Sequence, residues 1–370
     1  MTAISSSPAD DLRHMQHALA LGRRGMGQVW PNPAVGCVIV KDSRIIGRGW
    51  TQEGGRPHAE AMALAQAGAE ARGATAYVTL EPCAHQSPRG PSCASSLVEA
   101  GLARVVGAIE DPDPRTAGQG FARLRAAGIV VDVGLGAETA RLDHAGFIKR
   151  ITTGLPWVTL KLAATLDGRI ATATGESQWI TGPQARQMVH LMRAEHDAVM
   201  VGAGTARKDD PLLNVRGFGA RRQPVRVIWS RGLDLPESSK LVETAKEIPL
   251  WLVHGEAVDP PRQAAWISRG ASLLAVGEAG GSLDPLAALQ ALAGQGLTRI
   301  FCEGGGQLAA TLLKAGLVDE VAVFSAGAVI GADGTPMMGD MGLTQLSAAP
   351  RFRLHDLRRI GSDILHIWRR

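Results

Sequence analysis

Three short segments carry residue types that hold a metal ion: His58-Ala59-Glu60, Pro82-Cys83 and Cys93. Zinc takes imidazole and thiolate ligands in a tetrahedron, and a catalytic site leaves one corner to water. One His and two Cys give three ligands and two negative charges, a neutral centre able to hold hydroxide. Water bound there loses a proton near neutral pH and becomes a nucleophile. Hydrolytic loss of an amino group also needs a carboxyl to carry protons from that water to the leaving nitrogen, and Glu60 stands two residues from the His. In mid-helix that offset separates side chains by about 200°; at a helix entrance, with His58 near the cap, both can face one cleft. The alternative is a closed structural zinc with His85 as fourth ligand, which leaves Glu60 without a role. Cys37 lies in an apolar run and reads as a small buried hydrophobe.

A second chemical signal is Phe301-Cys302-Glu303-Gly304-Gly305-Gly306-Gln307, which runs from a strand through glycines into a helix. Such a turn lets backbone amides approach a phosphate at a positive helix end. It is not the G-x-G-x-x-G dinucleotide fingerprint, and by itself it is equally a plain structural turn.

The elements that must place these residues alternate along the chain. Ser7-Pro8 with Asp10 and Asp11 starts a helix running to about Arg23. Residues 34–40 and 44–49 form a hairpin, followed by a helix over 59–67, a strand over 75–80 and a helix after Cys93. A strand over 104–109, a helix over 117–127 and a strand over 129–133 complete a set whose alternation implies a largely parallel sheet with helices on both faces. Residues 138–150 read as one connecting helix, and Thr152-Thr153-Gly154-Leu155-Pro156 as a break. A second α/β set has strands at 157–162, 198–201, 225–229, 250–253, 299–302 and 320–324, with helices at 183–194 and 307–315. The boundary therefore falls near residue 150, giving domains 1–150 and 151–370.

Composition narrows the partners. At 45% hydrophobic and 20% charged residues the chain has material for a packed core. The formal charge of +4 divides evenly, +2 on each side of residue 150, and the basic residues are scattered apart from short pairs such as Arg221-Arg222. A polyanion-binding face shows clustering, and a single Tyr offers little for stacking single-stranded bases, so nucleic acid is not favoured as a partner. No apolar run approaches the roughly 18 residues of a membrane span, and residues 1–11 lack a signal-peptide pattern. A cytoplasmic protein is expected, in which two of the four cysteines, near a His, read as metal ligands more readily than as a disulfide.

The His58, Glu60, Cys83 and Cys93 constellation resembles the zinc-dependent nucleobase deaminases, whose signature is H-x-E followed by P-C-x-x-C. Nine residues lie between Cys83 and Cys93 where that signature has two. The wider gap is similar to the deaminase half of the bifunctional riboflavin-biosynthesis enzymes, although the loop here is one residue longer than that form. Pro31-Asn32-Pro33-Ala34-Val35-Gly36-Cys37, Thr79-Leu80-Glu81-Pro82-Cys83-Ala84-His85 and Ala108-Ile109-Glu110-Asp111-Pro112-Asp113-Pro114 are similar to the same branch. In the second half, Lys161 to Gly168, Gly175 to Thr181, Leu191 to Ala194 and Val201 to Arg216 look like the reductase half of that enzyme family. The resemblance spans residue 11 to the C-terminus and is weakest over 237–283.

The resemblance implies a cytidine-deaminase-like three-layer α/β domain followed by a dihydrofolate-reductase-like α/β domain. It implies zinc on His58, Cys83 and Cys93, Glu60 as catalytic proton carrier, and Asn32 against the substrate base. The first reaction is then hydrolytic deamination of 2,5-diamino-6-(5-phosphoribosylamino)pyrimidin-4(3H)-one. The second is NADPH-dependent reduction of the ribosyl group of 5-amino-6-(5-phosphoribosylamino)uracil to ribityl. Carried over by position, Ala163, Trp179, Thr205, Asp209 and the turn Gly305, Gly306, Gln307, Leu308, Ala309, Ala310 and Thr311 contact the cofactor. Ser177, Arg193, Leu213, Arg216 and Glu303 contact the phosphoribosyl substrate, an arginine pair suiting its terminal phosphate. Lys161 and Asp209 are candidates for proton handling; they read equally as a surface lysine and an aspartate opening a turn before Pro211. The family forms homo-oligomers. Two rivals remain at this level: a tRNA or free-base deaminase with an unrelated second domain, and a second domain that only binds or scaffolds.

Overall fold

Ser7 accepts a hydrogen bond from Asp10 N and caps helix α1 (Pro8–Gly22), with Pro8 in the first turn where a missing amide is harmless. The computed structural model describes residues 7–85, 90–219 and 222–370. The chain divides into two units, residues 1–154 and 155–370.

In the first unit, strands β1 (Gly36–Lys41) and β2 (Arg44–Trp50) form the expected hairpin. Its turn places Asp42 at φ 47° and Ser43 at φ 60°, the left-handed geometry that matches the twist of paired strands. Helix α2 (Ala59–Ala67), strand β3 (Thr75–Val78), helix α3 (Cys93–Glu99), strand β4 (Arg104–Gly107), helix α4 (Gln119–Ala126) and strand β5 (Val130–Val133) follow. The sheet order is β2-β1-β3-β4-β5. Only β3–β4 and β4–β5 are parallel; β1 runs antiparallel to both β2 and β3. The sheet is thus mixed rather than largely parallel, because the hairpin puts β1 between β2 and β3 and reversed against both. The expected single helix over 138–150 is two, α5 (Ala137–Asp143) and α6 (Ala145–Thr153). His144 breaks it: it is buried, and its Nε2 lies 3.1 Å from Thr79 Oγ1, a tertiary contact that outweighs local helical preference.

Two glycines on β2 decide how α2 sits. A Cβ at Gly49 would stand 2.1 Å from Ala59 O, and one at Gly47 would stand 2.2 Å from Ala63 O. Their absence lets α2 lie directly on the strand, with Ala59 and Ala63 wholly buried. The core beneath joins Met15, Ile39, Tyr77, Leu97, Val105 and Phe121.

The second unit begins with β6 (Trp157–Thr165) and the short β7 (Arg169–Ala171), then α7 (Pro183–Ala194), β8 (Ala198–Gly202), α8 (Ala203–Asp209) and β9 (Val225–Trp229). Next come α9 (Lys240–Glu243), β10 (Leu250–Gly255), α10 (Pro260–Ser268), β11 (Ala271–Val276), β12 (Glu278–Ala279), β13 (Ser282–Leu283) and α11 (Pro285–Gly294). The chain closes with β14 (Arg299–Cys302), α12 (Gly306–Lys314), β15 (Glu320–Ala326), β16 (Thr335–Pro336), β17 (Arg353–Ile360) and β18 (Asp363–Arg369). The nine-stranded sheet has the order β11-β10-β9-β8-β14-β6-β15-β18-β17, parallel from β11 through β15. The chain leaves β6 to build β8 through β14 on one side and β15 on the other. In such sheets ligands bind beyond the carboxyl ends of the strands at this reversal. Among the described residues no helix is long and apolar enough to cross a membrane.

Candidate active sites

His58 is the N-cap residue of α2, with extended backbone (φ −73°, ψ 163°), and Glu60 lies in the first turn. The cap geometry overcomes the half-turn offset, and both side chains line one cleft of about 270 Å3 with Asn32, Cys83 and His85. Cys83 follows β3 through Pro82. Cys93 opens α3, whose N-cap Ser92 accepts from Ser95 N. His58 Nδ1 lies 3.2 Å from Cys93 Sγ and 3.7 Å from Cys83 Sγ, and the three ligand atoms fall within 4.8 Å of one another. Tetrahedral zinc with its usual N and S bond lengths places such atoms about 3.5–3.8 Å apart, so this donor set fits zinc.

The electrostatics agree. Cys93 N donates to Cys83 Sγ at 3.3 Å, and hydrogen bonds from Cys93 together with His58 favour a Cys83 thiolate, holding that thiol below its ordinary range. Burial lowers His58, but its bond to Cys83 and the nearby Glu60 charge outweigh this and raise it. Glu60 is 3% exposed; burial pushes its carboxyl up to about 7, against the pull of His58. A proton carrier poised near neutrality is suited to general acid–base work. His85 does not complete a closed metal set: it is outside the three-atom group, and its Nδ1 lies 3.3 Å from Thr116 Oγ1. Asn32 donates from Nδ2 to Gly55 O at 2.9 Å, which leaves its carbonyl oxygen as an acceptor. The cleft also holds Arg56, Asp111, Asp113, Arg115 and Phe147, to which sequence reasoning gave no role. The Glu110 to Pro114 motif flagged part of this wall; nothing in spacing marks Arg56 or Phe147. Residues 86–89 of the loop between the cysteines lie outside the described residues, as does Arg221.

The second unit has a cleft of about 410 Å3 at the carboxyl ends of β6, β8 and β14. It brings together Lys161, Ala163, Ser177, Thr205, Asp209, Glu303, Gly305, Gly306, Gln307 and Leu308. Lys161 and Ala163 share one face of β6 by strand alternation. Gly305 N donates to Thr205 Oγ1 at 3.2 Å, tying α8 to the glycine turn. A Cβ at Gly306 would meet Gly339 N at 2.9 Å and Met337 O at 3.2 Å, so only glycine fits beside that passing segment. The first-turn amides of α12 then stand where a cofactor phosphate can reach them. Ile170, Ala171, Thr335 and Met337 also line the walls and went unseen in the sequence, being drawn from segments without a motif, and Lys208, inside the Val201 to Arg216 run, was given no role there.

Other expected contacts lie differently. Arg193 gives Nε and Nη2 to Glu303 at 2.5 and 3.0 Å and Nη1 to Asn214 O at 2.9 Å. Its charge is therefore matched by Glu303 rather than shared with Arg216, which is exposed and 3.4 Å from His190 Nε2. Burial pushes the Glu303 carboxyl up, yet Arg193 wins and holds it below its usual value. Burial lowers Lys161 while Glu303 opposes the shift. Leu213, at φ 51°, packs its side chain into the core with Val199 and Ile228. Ala309 and Ala310 are buried in α12, and Thr311 Oγ1 bonds Gln307 O. Trp179 is 68% exposed, with the Arg186 guanidinium 4.6 Å over its ring.

The two folds and two clefts define the class: a zinc deaminase joined in one chain to a nicotinamide-dependent reductase. Residues 8–109 match the cytidine and deoxycytidylate deaminase zinc-binding region, and residues 156–366 match the RibD C-terminal domain. The chain belongs to the RibD family. Riboflavin biosynthesis protein RibD of Escherichia coli K12 is 42% identical over 370 residues, covering 96% of this chain and 99% of that protein. RibD of Aquifex aeolicus is 38% identical, covering 97% and 98%. The solved structure of Acinetobacter baumannii RibD, form 1, superposes with a TM-score of 0.87 at 40% identity, covering 98% of this chain and 99% of that one.

Proposed function

We propose that the unit ending at Gly154 performs the deamination and the unit beginning at Leu155 the reduction. The chain is a bifunctional deaminase and reductase of riboflavin biosynthesis that uses zinc and NADPH. The observation that carries the assignment of roles is the meeting of His58, Cys83 and Cys93 at a cleft that His58 and Cys83 line together with a buried Glu60.

His58, Cys83 and Cys93 hold the zinc, whose chemistry when bound is to polarise a water. Glu60 takes a proton from the attacking water and delivers it to the 2-amino nitrogen of the diaminopyrimidine as the carbon–nitrogen bond breaks. Water is consumed and ammonia leaves. The Asn32 amide, fixed by Gly55, orients the base. In the second unit NADPH supplies the hydride, and conversion of ribosyl to ribityl requires a proton besides. Lys161, half-buried beside Glu303, and Asp209 are placed in the cleft to handle it. Ala163, Trp179, Thr205, Asp209 and residues 305–311 take the cofactor, Ala309 and Ala310 only through the helix backbone. Ser177, Arg193, Leu213, Arg216 and Glu303 take the phosphoribosyl substrate, Leu213 only through its backbone and with Glu303 holding Arg193 in place. We place the enzyme in the cytoplasm as a homo-oligomer, and sedimentation tests the state.

The experiment supplies the diaminopyrimidine ribotide with and without NADPH and follows ammonia and nicotinamide absorbance together. Ammonia release without NADPH, then oxidation of NADPH only after deamination, is expected. Absence of stoichiometric zinc, or ammonia release that survives Glu60→Gln, overturns the assignment.

A further inference from the structure

The loop that carries Cys83 leaves the sheet immediately after β3, and little backbone pairing holds it. Glu81 N donates to Ile109 O at 3.0 Å, Pro82 has no amide hydrogen, and Cys83 O accepts from Ala94 N at 3.2 Å. What fixes the loop is the Glu81 side chain, 3% exposed. Its Oε2 accepts from Asp111 N at 3.1 Å and Gly118 N at 2.9 Å, and its Oε1 accepts from Phe121 N at 3.0 Å. One carboxylate thereby binds the chain after β4 and the amino end of α4, whose first-turn amides lack helical partners.

The surroundings are built to this clamp. A Cβ at Gly120 would stand 2.0 Å from Pro82 O, so glycine alone lets the loop rest on α4. On the far side of Cys83, Thr116 Oγ1 accepts from Ala84 N at 3.5 Å and lies 3.3 Å from His85 Nδ1. Residues 81, 84 and 85 are all tied to the segment 111–121, and Cys83 is suspended between them.

We propose that Glu81 is a positioning residue of the metal centre: it sets where the Cys83 sulfur stands relative to His58 Nδ1 and Cys93 Sγ, and so governs ligand geometry and retention of the ion. The inference rests on the reading that these three residues hold zinc. A carboxylate is the side chain that accepts three amides without presenting a donor. Gln at this position turns an NH2 group against at least one of the three N–H groups, and Ala leaves all three unmet.

The test uses the full chain as wild type, Glu81→Gln, Glu81→Ala, Gly120→Ala and Cys83→Ala. Cobalt(II) replaces zinc, and its visible d–d and thiolate charge-transfer bands report ligand geometry; zinc release to a chelator is timed separately. Oxidation of NADPH on the deaminated substrate reports that the rest of the chain is intact. Loss of an outer-shell partner typically weakens metal affinity about 10–100-fold, so zinc release about tenfold faster is expected for Glu81→Gln, and faster still for Glu81→Ala. The cobalt bands shift, and ammonia production loses kcat more than it gains KM. A lower unfolding temperature with wild-type bands and wild-type zinc release overturns the proposal. If the Glu81 variants do not fold, Gly120→Ala decides: its methyl forces Pro82 O away and crowds the Glu81 side chain, whose Cγ and Oε1 would each lie 3.1 Å from it, while every ligand residue and the Glu81 carboxylate are retained, and unchanged bands there overturn the proposal equally. If Cys83→Ala keeps the wild-type bands, the ligand assignment fails instead, and the two failures are told apart.

Discussion

The two clefts of this chain are made of different materials. The deaminase cleft is lined by charged and metal-binding side chains, His58, Glu60, Cys83, Asp111 and Arg115 among them, each held by specific bonds. The reductase cleft is mostly backbone and small side chains, with Gly202, Gly204, Gly304, Gly305 and Gly306 on its walls. The difference follows from the work. Hydrolysis needs the protein's own groups to bind an ion and move protons, whereas hydride transfer is the nicotinamide's chemistry and asks the protein for shape and orientation. Damage to the first cleft should therefore remove chemistry, and damage to the second should mainly weaken binding.

The sharpest break in that contrast is Glu60→Gln. Loss of a positioned proton carrier costs about 10²–10⁴-fold in rate, so ammonia release should fall by that factor while zinc content and NADPH oxidation on deaminated substrate hold. Zinc assays and the two coupled activities check it. Gly306→Ala should give the opposite pattern. The new methyl must displace the 337–339 segment, and strain of about 1–3 kcal/mol placed on the phosphate turn raises the KM for NADPH tenfold or more with deamination untouched.

Acid should separate the units too. Burial pushes the Asp111 carboxyl up to about 7, with the nearby Asp113 and Glu81 charges adding to the shift. A raised carboxyl binds its proton more tightly folded than unfolded, so its contribution is best below its unfolded value near 4 and is lost as pH rises toward about 7. Glu303, held low by Arg193, has the reverse sign: its contribution is present above its unfolded value of 4.5 and is lost as pH falls below it. Urea unfolding of the metal-free chain across this range should show the first unit weakening toward neutrality and the second weakening in acid. Asp111→Asn should flatten the first trend, and Glu303→Gln the second. The mildest change is Thr205→Val, which removes the acceptor for Gly305 N. At about 1 kcal/mol for one hydrogen bond, it should raise the NADPH KM a few-fold, measured by titration of initial rates.

The same contrast explains what could be read early. His58, Glu60, Cys83 and Cys93 stood out because their chemistry is written in their own side chains within short segments. Their arrangement needed the cap position of His58, and that depends on Gly47 and Gly49 letting α2 lie on β2. Arg56 and Phe147 stayed hidden because a cleft wall gathered from separate segments has no spacing to recognise. In the second unit six strands and the helices over 183–194 and 307–315 were legible, but the edge strand β11, the short strands, α8 to α11 and the β17–β18 hairpin were not. The pairing of Arg193 with Glu303, 110 residues away in sequence, is likewise invisible to any local pattern.

By itself the order of residues singled out His58, Cys83 and Cys93 as a donor set and Glu60 as the candidate proton carrier, since those are properties of individual side chains and of capping at a helix start. Tertiary packing decided the rest: that β1 lies reversed between β2 and β3, that Arg193 is neutralised, and that Glu81 clamps the Cys83 loop. Each of these turns on contacts between segments far apart in sequence, where burial and hydrogen-bond satisfaction, not local propensity, choose the outcome.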